Sequence, residues 1–166
     1  MACIWTATRS LAVAPVACSA VPSDAAFRAL NRMHRLVVRA SGGRLGWSGY
    51  GMPVVRLTTI GRKSGQTRTT MLTSPYQEGS TVVVVASAGG NDRHPAWLLN
   101  IQDNPDVTVS LEGKPDQHMK AVTASREERA RLWPMITKDH ENYARYQRGT
   151  EREIPLVLLT PSDNDQ

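Results

Sequence analysis

Cysteine is nearly absent from this chain: two residues, Cys3 and Cys18, both among the first eighteen positions. The body of the protein therefore has neither a disulfide framework nor a thiolate metal site. His34, His94, His118 and His140 are dispersed without ligand spacing, which argues against metal catalysis. Aromatic residues make up 5% of the chain, with a single phenylalanine, and none forms a stacking platform on a strand. Nucleic-acid binding, for which only the charge speaks, is not expected. No apolar run approaches the length of a membrane span, roughly 18 residues or more.

Acidic residues are missing from positions 1–22, where Ala, Val, Ser and Cys dominate. Two readings stand for this segment. Leu11 to Ala20 resembles a short export h-region behind Arg9, but Pro15 interrupts it and basic residues are scarce. The other reading, an extension from an upstream start that lies outside the fold, leaves one domain over 23–166. Cytoplasmic residence follows by default.

What is present is positive charge. A net charge of +5 and a pI near 9.6 call for an acidic partner: nucleic acid, an anionic membrane surface or a polyanionic small molecule. The charge is densest in Gly61-Arg62-Lys63-Ser64-Gly65-Gln66-Thr67-Arg68, between two β-branched runs, Val54 to Ile60 and Thr69 to Thr73. This pattern predicts a hairpin loop. Its two glycines would let successive N–H groups converge into an anion-binding nest, with Arg62, Lys63 and Arg68 adding cations and Ser64 and Thr67 adding hydroxyls. A Walker A loop is excluded, because Leu57 occupies its glycine position and a strand follows rather than a helix.

Upstream, Ser23-Asp24 caps a basic amphipathic helix with Phe27, Leu30, Met33 and Val37 on one face and Arg28, Arg32, Arg35 and Arg39 on the other. The apolar stripe suits either packing on the domain or an anionic membrane surface. Downstream, Ser74 to Gly79 reads as a turn and Ser80 to Ser87 as a buried strand. Gly89-Gly90-Asn91-Asp92 is a second glycine loop, followed by a short helix from Pro95 that Asn104-Pro105 stops. Val107–Leu111 and His118–Val122 form a strand pair. A capping box at Ser125 to Glu128 starts a helix that runs to Trp133, where Pro134 should kink or restart it. A helix carrying Tyr143 and Tyr146 and a closing strand, Ile154 to Thr160, complete the chain. The expected fold is α+β, mainly β: a small antiparallel barrel of five to seven strands with flanking helices.

In combination, Met52-Pro53, Leu57 through Arg68, Ala86-Ser87-Ala88-Gly89-Gly90, Pro95-Ala96-Trp97-Leu98-Leu99-Asn100, Asn104-Pro105 and Arg152-Glu153-Ile154-Pro155 resemble the deazaflavin-dependent nitroreductase family over roughly residues 30–161. The resemblance implies an FMN-binding-type split β-barrel of about six strands. It also implies coenzyme F420, a hydride carrier with a phosphodiester and an oligoglutamate tail, and a quinone, nitroaromatic or activated alkene as hydride acceptor. By motif match Arg62, Lys63, Ser64 and Arg68, with Gln66 nearby, would hold the phosphate and tail. Met71, Leu72, Ala86, Ser87, Ala88, Gly89 and Ala96 would contact the cofactor, and Trp97 and Asn100 would line its edge. Each of the last two has an equally ordinary reading, Trp97 as core filler and Asn100 as a satisfied helix-end polar residue. Tyr143 and Tyr146 align with tyrosines lining the family's substrate pocket and Ser87 with a serine near the reacting ring; these stand as the catalytic candidates, with packing as the alternative for the tyrosines. The chain departs from the family pattern at Thr73 and His140, where phenols are familiar, and at Ala88, where lysine is common.

Two rival readings remain at this stage: an FMN-dependent reductase or oxidase on the same barrel, and a non-catalytic protein that binds F420 or an acidic lipid. As partners the sequence suggests a quinone-like small molecule, a peripheral membrane surface met through the 27–39 helix, and either a monomer or a homodimer.

Overall fold

The computed structural model describes residues 51–162 together with Ala29, Met33, Ser48 and Gly49. The expectations for segment 1–22 fall outside the described residues, as does most of the basic helix; of that helix Ala29 and Met33 are described, and both are exposed.

Among the described residues eight strands form one antiparallel sheet: β1 (Ser48–Gly49), β2 (Met52–Ile60), β3 (Thr67–Thr73), β4 (Tyr76–Glu78), β5 (Thr81–Val85), β6 (Asp106–Leu111), β7 (Gln117–Thr123) and β8 (Leu156–Pro161). The main path runs β3-β2-β6-β7-β8-β5-β4, with β1 paired to the start of β2. The outermost strands of that path, β3 and β4, are consecutive in sequence and joined only by Ser74-Pro75. A sheet whose two ends are tied by so short a link must curl until they meet, which produces a split barrel. Ser74 fixes the join by donating its N–H to Pro53 O at 2.9 Å and its hydroxyl to Tyr76 O at 3.0 Å. Ser74 to Gly79 is not one turn: Tyr76–Glu78 is strand β4, and the reversal comes at Gly79, whose φ of 60° lets β4 pair with β5.

Strand alternation sorts the apolar residues into two cores. Val55, Leu57, Val82, Val84, Val107, Val109, Met119, Ala121, Val157 and Leu159 point into the barrel. The short helix α1 (Ala96–Asp103) plugs it with Trp97, Leu98 and Ile101. Val83, Val85, Leu156 and Leu158 face outward under α2 (Arg126–Asp139) and α3 (Glu141–Arg148), where they meet Leu132, Ile136 and Tyr143. Strands β5 and β8 are thus covered on both faces, which is why they read as unbroken aliphatic runs. Each fully buried aliphatic side chain contributes on the order of 1.5–3 kcal/mol.

Helix α2 opens with the expected capping box: Ser125 Oγ accepts from Glu128 N–H at 3.1 Å and Ser125 N–H donates to Glu128 Oε2 at 2.7 Å. It does not end at Trp133 but continues through Pro134 to Asp139. Pro134 and Ala130, the residue whose carbonyl loses its helical donor, are both exposed, so water can satisfy that oxygen. Leu132 and Ile136, each 1% exposed, pin the helix on either side.

Candidate active site

The hairpin between β2 and β3 forms as predicted, but the backbone nest does not. Of its glycines only Gly65 has positive φ, at 63°. The N–H groups are used inside the protein: Gly61 to Gln66 O at 2.8 Å, Ser64 and Gly65 to Gly61 O at 3.0 and 2.8 Å, and Gln66 to Ser64 Oγ at 3.4 Å. Arg62 N–H donates to Asn100 Oδ1 at 3.3 Å. Gly61 is required for closeness rather than for handedness, since a Cβ there would lie 2.9 Å from Ser64 Oγ and 3.2 Å from Gln66 O. With those N–H groups spent, the donors this loop offers to an anion are its side chains. Arg62, Lys63, Gln66 and Arg68 are exposed, and among the described residues none of the three cations takes part in an ion pair. The Arg68 guanidinium donates to Ser64 Oγ at 3.4 Å. Three cations on one hairpin, without carboxylate partners among the described residues, suit a ligand with several anionic groups.

Asn100 is 6% exposed and ties this loop to the barrel plug. Beyond its bond to Arg62, it donates Nδ2 to Thr59 Oγ1 at 3.1 Å. Trp97 is 7% exposed and packs in the barrel core, whereas Ala96, at the start of the same helix, is exposed. Along β3, Leu72 packs against the barrel core while Met71, paired with Arg56, is buried.

A second group of residues lies at the other end of β3. Thr73 Oγ1 and Tyr143 Oη are 3.0 Å apart, and Tyr143 Oη also reaches Met52 Sδ at 3.8 Å. Tyr143 is only 4% exposed and its ring meets those of His140 and Tyr146 edge-on, at 6.4 and 6.2 Å between centroids. Burial pushes its phenol above the ordinary tyrosine range; the Thr73 bond pulls the other way. Tyr143 is thus a packed, bonded side chain, while Tyr146 is partly exposed.

Tyr146 abuts the Ala86–Gly90 segment. Ala86 is fully buried, Ser87 and Ala88 are partly exposed, and Gly89 and Gly90 are buried. Three consecutive residues are left-handed: Ala88 at φ 46°, Gly89 at 65° and Gly90 at 85°. For Ala88 this conformation costs on the order of 1–2 kcal/mol. A Cβ on Gly90 would sit 3.0 Å from Tyr146 O, so the loop and α3 touch backbone to backbone.

A residue to which the sequence assigned no role holds this segment from behind. Arg152 donates to Asn91 O at 2.7 Å, Ser87 O at 2.8 Å and Ala86 O at 3.1 Å, and lies 3.4 Å from His94 Nδ1. Burial first, then the charge of Arg152, lowers the His94 pKa, which leaves the ring neutral and able to accept. Nothing in the local sequence pattern announces this, because the partners are some 60 residues apart.

The candidate residues therefore fall into two groups joined by β3 and α1: cations at Arg62, Lys63 and Arg68, and the Ser87–Gly90 turn with Tyr146. Five residue steps along β3 from Arg68 to Thr73 span roughly 17 Å. A strand of that length runs from the cationic hairpin to Thr73, which meets Tyr143. Among the described residues no group of His, Cys, Asp and Glu could hold a metal ion, and no helix is long and apolar enough to cross a membrane.

The family model for F420H(2)-dependent quinone reductases matches residues 30–161. An F420H(2)-dependent quinone reductase of Mycobacterium tuberculosis H37Rv is 38% identical over 134 residues, covering 79% of this chain and 89% of that protein. Among solved structures, an F420-H2 dependent reductase superposes with a TM-score of 0.57 at 35% identity, over 64% of this chain and 93% of the other. A domain-swapped dimer superposes equally well, at 30% identity over 80% of this chain and 96% of its own. With the split barrel, the cationic hairpin and these matches together, the chain belongs to the F420H(2)-dependent quinone reductase family.

Proposed function

We propose that this chain is an oxidoreductase that passes a hydride from reduced coenzyme F420 to a quinone, with nitroaromatics and activated alkenes as further acceptors to be screened. The observation that carries the reading is the exposed Arg62-Lys63-Arg68 cluster, without carboxylate partners among the described residues and braced by Asn100. Three cations fit a phosphodiester and glutamate tail better than the single phosphate of FMN. Bound there, the reduced deazaflavin supplies a hydride from its C5 position.

The chain's own task is to bind, orient and protonate. Arg62, Lys63 and Arg68 grip the anionic end, with Ser64 and Gln66 beside them. The Ser87-Ala88-Gly89 turn, small in side chains, lets the ring lie close to backbone. Tyr146, whose backbone meets that turn and whose side chain is partly exposed, is the phenol we assign to hold a proton for the acceptor; Tyr143 supports it from the core. Domain swapping in one related structure makes a homodimer the expected assembly, which sedimentation would read.

The test is optical. Purified protein mixed with reduced F420 and a panel of quinones should reoxidise the cofactor, and fluorescence titration should show tighter binding of F420 than of FMN. Preference for FMN would favour the rival flavin reading on the same barrel. Tight F420 binding with no transfer to any acceptor would mark a cofactor-binding protein instead.

A further inference from the structure

We infer that Arg152 is a positioning residue, which holds the Ala88–Gly90 turn in its left-handed form and thereby fixes the wall against which the hydride-carrying ring lies. This rests on the functional reading above and adds to it a residue that touches neither cofactor nor acceptor.

Two features of the molecule converge on the assignment. The first is the turn itself, three left-handed residues in succession beginning with an alanine, a conformation that persists only where the surroundings impose it. The second is the guanidinium behind it. Its Nε and Nη atoms donate to the carbonyls of Ala86, Ser87 and Asn91, which flank the turn on both sides. Within the turn, Gly90 N–H bonds Ser87 O at 2.9 Å, so Ser87 O accepts from both the turn and the clamp. Among the described residues no carboxylate lies within 4 Å of Arg152. A cation that gives three of its hydrogen bonds to main-chain carbonyls is a geometric device, and a planar fork is the side chain suited to it. Lysine keeps the charge but has no fork that can span carbonyls on both sides of the turn. The clamp is held in turn by its neighbours: His94 accepts from it, and Thr150 Oγ1 bonds Asp92 at 2.7 Å on the same loop.

The cationic hairpin at the far end of β3 is untouched by this clamp, so binding of the anionic tail and placement of the ring should separate. For Arg152→Lys and Arg152→Ala the expected result is a kcat reduced at least tenfold, with the dissociation constant for F420 changed less than threefold. Methylguanidine added to Arg152→Ala should recover part of the loss, and should do nothing for Arg152→Lys. A readout without cofactor runs beside these assays: hydrogen exchange at Ala88–Asn91 should quicken at least tenfold in both variants, while amides of β5 and β8 keep wild-type protection. Unchanged exchange in that segment, or a lysine variant equal to wild type in kcat, overturns the assignment. So does a loss of protection throughout β5 and β8 in both variants, which would make Arg152 a general structural residue. A wild-type protein that neither binds nor oxidises reduced F420 defeats the functional reading instead, and the exchange result in cofactor-free protein tells the two failures apart.

Discussion

The main-chain N–H of Arg62 donates to the side-chain oxygen of Asn100, 38 positions further on, at 3.3 Å. Through that contact the plug of the barrel sets the posture of the loop that carries the cations, since the same amide reaches Thr59 on β2. Asn100→Ala should cost about 1–3 kcal/mol in urea unfolding, the range for stripping a buried polar group of its partner. It should also weaken F420 binding in a fluorescence titration. Asn100→Asp keeps the acceptor for Arg62 but sets a carboxylate beside the anion site, so its affinity should fall further than its stability. An Asn100→Ala protein with wild-type affinity would mean that the loop holds its shape unaided.

Lys63→Ala and Tyr146→Phe should fail in different ways. Lys63 is exposed and free of ion pairs among the described residues, so its loss should raise the F420 dissociation constant about tenfold or more and barely alter FMN binding. Weakening of wild-type binding by salt should be blunted in the variant. Tyr146→Phe should lower turnover with affinity nearly intact. Equal losses in both assays for both variants would contradict this division between grip and chemistry.

Glycines in the two loops should respond unequally to alanine. Gly65 has φ of 63° with nothing within 4 Å of an added Cβ, so Gly65→Ala should cost about 1 kcal/mol from backbone handedness alone. Gly90 combines φ of 85° with a Cβ 3.0 Å from Tyr146 O, a backbone atom that cannot swing aside. Gly90→Ala should therefore destabilise by about 2–4 kcal/mol, adding a steric term to the same backbone cost. Thermal or urea unfolding of the pair checks the ranking; equal costs would show α3 to be free to move off the loop.

How far these relationships could be read from sequence depends on their range along the chain. The hairpin, the capping box at Ser125 and the aliphatic strands are local, with signals inside a window of a few residues. The barrel followed from strand count and short connections, although β4, three residues long, was hidden by turn chemistry at Ser74 and Gly79. Helix continuation through Pro134 was illegible because it depends on which carbonyl faces water. The nest was expected because glycine permits positive φ, yet Gly61 is present for lack of a side chain, a matter of what lies across the loop. Arg152, Thr59 and the burial of Tyr143 are all long-range facts; no periodicity or spacing encodes which carbonyl an arginine meets some 60 residues away.

Tyr143 offers a test in alkaline solution. Its phenol is buried and bonded to Thr73, and burial, more than the neighbouring Tyr146, holds its pKa above the usual 10.0. A raised folded pKa means that the native state keeps its proton where the unfolded chain gives it up. The contribution to stability is thus complete below about pH 10 and declines as pH rises through the higher folded value. Urea midpoints measured from about pH 8 to 11 should therefore fall for the wild type. Tyr143→Phe should lose about 0.5–1.5 kcal/mol near neutrality, from the missing bond and the orphaned Thr73 hydroxyl, but should fall less steeply on the alkaline side. Because Tyr143 is packed inside, the same variant should retain most of its turnover, unlike Tyr146→Phe. An alkaline slope identical to wild type would place the responsible ionisation elsewhere, and a collapse of turnover would return Tyr143 to the chemistry.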